Sequence, residues 1–130
     1  MGDLAYRAIS KAVEECVENV CSYDEIRRIS DKLLSMFEKV EDRAFESIAR
    51  FQPVASDLRK IKSYMKIAYD FVRFGGYALE ISFANQKLGG VKYCDAWITS
   101  YIEDMSEKAL EMVRLSVDSL EKYDPRLTEK

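Results

Sequence analysis

The sequence predicts an all-α fold, an up-down antiparallel bundle of about four helices. Three observations carry this reading. Apolar residues recur at steps of three and four along four long segments. Breakers are scarce, with 5 Gly and 2 Pro in 130 residues. Charged residues make up 33% of the chain and apolar ones 48%, a mixture that excludes disorder and suits helices with solvated outer faces. No strand pattern competes, and the length fits one domain with one core.

The first helix is expected from about Asp3 to Val20, with Leu4, Ile9, Val13, Cys16, Val17 and Val20 as its apolar stripe. Ser22 to Glu25 then reads as a capping box, in which the Ser22 hydroxyl takes the Glu25 amide and the Glu25 carboxylate returns to Ser22. The second helix follows with Ile26, Ile29, Leu33, Phe37, Val40, Ala44, Ile48 and Phe51, a heptad-like stripe suited to near-antiparallel packing. Pro53 ends it and suits the start of the third helix, so the corner is expected to be tight. The third helix carries Leu58, Ile61, Met65, Ala68, Val72, Leu79 and Ile81. Gly75-Gly76 inside it predicts a kink or a close helix–helix contact. Gln86 to Cys94 is expected to be the one substantial loop, broken by Gly89-Gly90. Asp95 is placed to cap the fourth helix, which turns Trp97, Tyr101, Met105, Ala109, Met112, Leu115 and Leu120 inward. That helix runs to about Tyr123 and stops at Asp124-Pro125, before a polar end expected to fray.

Composition removes whole classes of function. A net charge of −3 argues against nucleic acid as a partner. The chain holds no histidine, which excludes Ser-His-Asp and Cys-His catalysis and the commonest zinc ligand. Cys16, Cys21 and Cys94 are odd in number and form no C-x-x-C pair, so a disulfide framework or cysteine zinc site is not expected and the thiols read as small apolar residues in or near the core. No apolar run approaches a membrane span, and the N-terminal Met-Gly-Asp-Leu-Ala-Tyr is no signal sequence; Tyr6 stands where a myristoylation site wants Ser or Thr. The chain is expected to be cytoplasmic, with no membrane insertion.

The most distinctive text is Gln52-Pro53-Val54-Ala55-Ser56-Asp57-Leu58-Arg59, followed at Asp70 by Asp70-Phe71-Val72-Arg73-Phe74-Gly75-Gly76-Tyr77-Ala78-Leu79-Glu80-Ile81. The first stretch resembles the helix corner of the PhoU family, regulators of phosphate uptake and phosphate signalling. In the second, Asp70, Arg73, Gly75, Ala78 and Ile81 agree with that family in type and spacing. The resemblance covers roughly residues 5 to 124. Family members carry two three-helix repeats. The resemblance therefore implies a single domain over 1–130, one repeat plus an extra C-terminal helix that looks like the opening of a second repeat. Either that helix covers the first repeat or a homodimer supplies the missing half.

The family's metal motif is degenerate. Its paired carboxylates, which would hold iron or zinc clusters, correspond here to Val72 and Gly76, and Leu34 stands where the family has Asp; Glu41 survives alone. Carboxylates one turn apart can grip a cation between them, but these side chains cannot ligate. No metal site, no cofactor and no catalytic residue is expected. The lost ligands suggest a groove that is packed or holds something non-metallic.

The residues singled out for partner binding are Asp57, Arg59, Lys62, Lys66, Asp70 and Arg73. Arg59, Lys62, Lys66 and Arg73 share one face, at steps of 3, 4 and 7. They read either as a docking stripe for an anion or an acidic protein or as partners of Glu103, Asp104, Glu107 and Glu111 on the fourth helix. The aromatics Tyr64, Tyr69, Phe71, Phe74, Tyr77 and Phe83 cannot share one face, which implies a third helix buried on two sides, the second by a homodimer. The functional expectation is a non-enzymatic adaptor that binds a phosphate transporter component or a sensor kinase. The alternatives are a dimerisation module without a phosphate role, and a metal-binding or carboxylate-using bundle, which would need convergent inward acids.

Overall fold

In the computed structural model, which describes residues 1–18 and 21–122, the helices are α1 (Gly2–Glu18), α2 (Tyr23–Phe51), α3 (Ser56–Leu88) and α4 (Ala96–Lys122), with a 3-10 turn at Gly90–Tyr93. There is no strand among the described residues. The expected all-α bundle is the fold. Val20, Tyr123 and Asp124-Pro125, used above to set helix ends, lie outside the described residues.

α1, α2 and α3 pack together, and α4 lies along the outer side of α1 without packing its backbone against α2 or α3. The centre is built from Ala5, Ala8 and Ala12 of α1, Ile26, Ile29 and Leu33 of α2, and Ala78 of α3. Ile9 of the expected stripe joins this core, but the innermost residues of α1 are alanines, which the stripe did not include. Val17 is exposed, and Leu4 and Val13 pack at the edge of the core. Small side chains let α1 approach its neighbours closely, so volume alone does not identify the inner face.

The capping box does not form. Ser22 sits at the N-cap of α2 with no side-chain cap bond. Glu25 instead reaches across to α1, where Lys11 lies 2.9 Å and Arg7 3.6 Å from its carboxylate. A charged partner on a neighbouring helix competes for the oxygen that the box needs.

The corner after α2 is also wider than expected. Gln52 closes α2 in the left-handed region (φ 44°), and its amide donates to the Ile48 carbonyl. Ala55 also has positive φ (50°), and α3 starts at Ser56, not at Pro53. The chain thus turns through two unusual backbone positions, one on each side of Pro53-Val54. Phe51, Val54 and Leu58 are exposed around it. Ile81 is likewise exposed, against expectation, while Ser82 and Asn85 are buried.

Gly75-Gly76 gives a close contact and no break in α3. A Cβ on Gly75 would lie 3.1 Å from Leu33 Cδ1 and 3.3 Å from the Ser30 Cα, whereas one on Gly76 would meet nothing within 4 Å. The two substitutions separate space from propensity. Gly76→Ala is expected to raise the unfolding free energy by about 1 kcal/mol, the helix-interior cost of glycine. Gly75→Val is expected to lower it by about 1–3 kcal/mol through overpacking against α2. Paired urea titrations read both signs.

The expected loop over 86–94 is largely helical. α3 continues to Leu88, Gly89 caps it in the left-handed conformation with its amide on the Asn85 carbonyl, and the 3-10 turn follows. Asp95 precedes α4, where its main-chain carbonyl accepts the amides of Ile98 (2.9 Å) and Thr99 (3.1 Å).

α4 reverses the expected orientation. Its buried residues are Val113 and Val117, with Leu110 packed on the core. Trp97, Tyr101, Met105 and Met112 are 63–69% exposed. The helix carries two apolar stripes on different faces, and α1 takes the one containing Leu110, Val113 and Val117. The close approach explains the choice: a Cβ on Gly2 would sit 2.7 Å from Val117 Cγ1, so the γ-methyls of this β-branched residue fill a space that only glycine leaves open.

Candidate functional site: the outer face of the third helix

α3 presents Arg59, Lys62, Lys66 and Arg73 outward, and all four are exposed. Their spacing aligns them, and the helix continues unbroken from Ser56 to Leu88, which fixes their separation. Arg59 Nε donates to the Ala55 carbonyl at 3.4 Å, anchoring the guanidinium at the α2–α3 corner. Asp57 pairs with Lys60 at 3.3 Å on the exposed first turn.

Arg73 is the most fixed of the set. Its guanidinium donates to the Tyr77 hydroxyl oxygen, contacts Asp70 at 3.4 Å and lies 5.5 Å from the centre of the Tyr77 ring. The Tyr77 bond, with a smaller contribution from Asp70, holds its pKa above the ordinary guanidinium value. Asp70, Arg73 and Tyr77 form one edge of a groove of about 490 Å³ between α3 and α4. Ile67, Phe71 and Phe74 supply its apolar wall, and Ser116 and Leu120 close it from α4. The groove exists because α4 is seated on α1 and leaves a gap to α3.

Pairing of the stripe with the acids of α4 does not occur. Among the described residues no ion pair joins α3 to α4, and Asp104 is taken by Lys108 on its own helix. Four cations therefore follow one edge, with Asp57 and Asp70 beside them, and lead to an apolar groove. Its charge pattern is the complement of an acidic surface that carries an apolar ridge. Sequence spacing found the cations; it could not find the groove, which depends on which face α4 buries.

The degenerate metal positions are separate in character. Val72 packs against the core, Leu34 is 48% exposed, and Gly76 faces open space. These positions therefore line no common groove, against expectation. Among the described residues no three acids or thiols converge closely enough to hold an ion, and Glu41 has no such company. The donor set does not fit a metal cluster.

A buried polar link lies at the far end of the bundle and was missed in the sequence. Glu15 is 1% exposed and accepts a bond from the Ser82 hydroxyl at 2.6 Å. Asn85 Nδ2 donates to the Glu15 main-chain carbonyl at 3.0 Å. That carbonyl belongs to the last turn of α1, where helix acceptors lack partners, so α3 caps α1 from the side. Small steps of 3 and 4 from Ala5 through Ala8 and Ala12 to Glu15 were the available signal.

The cysteines are free. Cys21 and Cys94 are exposed, which corrects their expected place in the core, and only Cys16 is partly buried. Burial first, then the nearby Cys94 and Glu15, pushes the Cys16 thiol above its ordinary pKa. The folded protein thus favours the protonated thiol. Its contribution to stability is present below the ordinary thiol range and is lost as pH rises through the raised value. Iodoacetamide is expected to modify Cys21 and Cys94 first at mildly alkaline pH, with Cys16 following only at higher pH, as peptide mass mapping will show. Denaturant should remove the lag.

No helix among the described residues is long and apolar enough to cross a membrane. The family profile described as PhoU domain matches residues 1–83. The chain is 33% identical over 136 residues to a phosphate-specific transport system accessory protein PhoU homolog of Clostridium acetobutylicum, covering all of this chain and 58% of the relative. It is 33% identical over 131 residues to the protein of the same description in Aquifex aeolicus, with the same coverage of each. A Pseudomonas putida homolog is 26% identical over 132 residues, covering 98% of this chain and 50% of the relative. The chain thus spans half to three-fifths of the length of these relatives. No solved structure matches it. With the profile running through the α1–α3 bundle and on into the last turns of α3, and relatives aligned along the whole chain, this protein belongs to the PhoU family.

Proposed function

We propose that the chain is a regulatory adaptor of phosphate uptake or phosphate signalling that acts by binding a protein, without catalysis, metal or cofactor. The relatives' description as accessory proteins of phosphate-specific transport supports the setting. The observation that carries the binding mode is the exposed row of Arg59, Lys62, Lys66 and Arg73 beside the α3–α4 groove. Asp57 and Asp70 lie in the same surface and set its charge pattern. The partner is an acidic surface on a cytoplasmic component of a phosphate transporter or on a sensor kinase. The domain is one three-helix repeat plus α4, it works in the cytoplasm and it is a homodimer.

Co-purification with the cytoplasmic components of a phosphate transporter and with the cytoplasmic part of a sensor kinase tests this. Arg59→Glu combined with Lys66→Glu is expected to cut recovery of the true partner at least about tenfold, because two rim charges become repulsive. Added salt should weaken the wild-type complex. Unchanged recovery from the double variant rules out the stripe; capture of neither protein by the wild type rules out the phosphate role. A dimerisation module without a phosphate role is the second reading, and the exposed apolar stripe of α4 favours it.

A further inference from the structure

The backbone of α4 packs only against α1 and the 3-10 turn that precedes it. The joint between α3 and α4 therefore governs how α4 is seated. Gly89 and Gly90 open that joint at φ 79° and 69°, two successive left-handed residues that leave the backbone there pliable. The turn is pinned at Val91, which is buried. Its main chain serves two cysteines at once. The Val91 amide donates to the sulfur of Cys16, in the last turn of α1. The Val91 carbonyl accepts the Cys94 amide at 3.0 Å. Thr99 Oγ1, in the first turns of α4, donates to the same carbonyl at 3.5 Å. Both thiols are free, Cys16 partly buried and Cys94 exposed.

We propose that Cys16 and Cys94 form a reversible disulfide that fastens the α3–α4 joint to the end of α1. One residue bridges the two cysteines, and it belongs to the pliable turn, so a small shift of that turn brings the sulfurs to bonding distance. The oxidant is a hydroperoxide. The Cys94 thiolate attacks one peroxide oxygen and becomes a sulfenic acid, and the other oxygen leaves as hydroxide and takes up a proton to become water. The Cys16 sulfur then attacks the Cys94 sulfur. The S–O bond breaks, the hydroxide takes the Cys16 proton, and a second water leaves. Two thiols give up two electrons, and one peroxide is reduced to two waters. A dithiol reductant reverses the reaction by exchange.

The environments divide the roles. Cys94 is open to the oxidant, whereas burial keeps the Cys16 thiol protonated above the ordinary range, which suits it to resolve rather than to initiate. Cys21 has a different neighbour, Gln86 of α3, whose Nε2 donates to its sulfur at 3.7 Å. The bond would tie together two cysteines far apart in the chain and would hold the joint still. Oxidation thus reaches α4 and the groove that α4 borders. The inference needs neither the phosphate role nor the partner.

Peptide mapping of the full chain without reductant, after dilute hydrogen peroxide, tests it on the wild type with no substitution. A peptide pair joining Cys16 to Cys94 within one molecule is expected, and dithiothreitol should release it. The oxidised protein should melt about 5–15 °C above the reduced one, because the cross-link constrains the unfolded chain. Hydrogen exchange in the first turns of α4 should slow about tenfold on oxidation, as local opening at the joint is suppressed. Cys21→Ser should leave all three results unchanged. Cys16→Ala should abolish them and leave a Cys94 sulfenic acid that dimedone traps, with circular dichroism confirming that the variant stays helical. Pairing of Cys21 with either of the others, a Cys94 sulfenic acid that persists in the wild type, or a disulfide that lowers the melting temperature or leaves exchange in α4 unaltered overturns the inference. Failure to co-purify a transporter component or a kinase counts against the adaptor reading alone.

Discussion

Trimming Leu33 to alanine is expected to lower the unfolding free energy by about 2–5 kcal/mol, as large-to-small changes in a rigid core do. Leu33 has 0% exposure and stands where α2 meets the glycine notch of α3, 3.1 Å from where a Gly75 Cβ would be. On the α3 side the neighbour is the Gly75 position, which has no side chain to swing into the cavity. At this chain length each kcal/mol shifts the melting temperature by about 4 °C, so the melt should fall by roughly 8–20 °C. Leu34→Ala, one residue along, is the control. Leu34 is 48% exposed and its loss should cost less than about 1 kcal/mol. Equal losses from the two would mean that the three-helix core is not where the structure puts it.

Removing the Glu15 carboxylate is the second large effect. In Glu15→Ala the Ser82 hydroxyl, itself 0% exposed, loses its carboxylate acceptor. An orphaned buried donor costs about 1–3 kcal/mol, and the vacated volume adds to that. Ser82→Ala alone leaves the Glu15 carboxyl short of one bond. The double change Glu15→Leu with Ser82→Ala replaces both polar groups by apolar ones and is expected to recover most of the loss. Denaturant unfolding of the wild type, Glu15→Leu, Ser82→Ala and the double variant closes a cycle that gives the coupling directly. Additive losses would mean that the two groups do not act as a pair.

The helices and their order were legible because long stripes at helical spacing leave few alternatives. The contact at Gly75 was legible as well, since glycine in a helix interior is costly unless something needs the space. What misled was choice between competing partners. Glu25 fits a capping box, but Lys11 and Arg7 on α1 offer stronger partners that local sequence does not show. α4 has two apolar stripes, and hydrophobicity alone favours the one with the larger side chains as the inner face. Packing against Gly2 selects the slimmer stripe, and this is settled by the neighbour's shape rather than by hydrophobicity. Glu15 was hidden for a related reason: a lone acid reads as surface until another helix brings Ser82 and Asn85 to it. The cationic stripe was visible from spacing alone, while its bordering groove follows from the seating of α4.

α2 and α3, at 29 and 33 residues, are far longer than α1 at 17, about 45–50 Å against about 25 Å. Beyond the reach of α1 they form a two-stranded arm ending at the corner that carries Arg59. The cationic row is therefore mounted on two grounds: Arg59 stands at the free tip, whereas Arg73 and the groove sit on the triple-packed base beside Gly75. Mutation at the tip can change the surface without touching the core, while every change around Arg73 is also a change to the packing that holds the domain together.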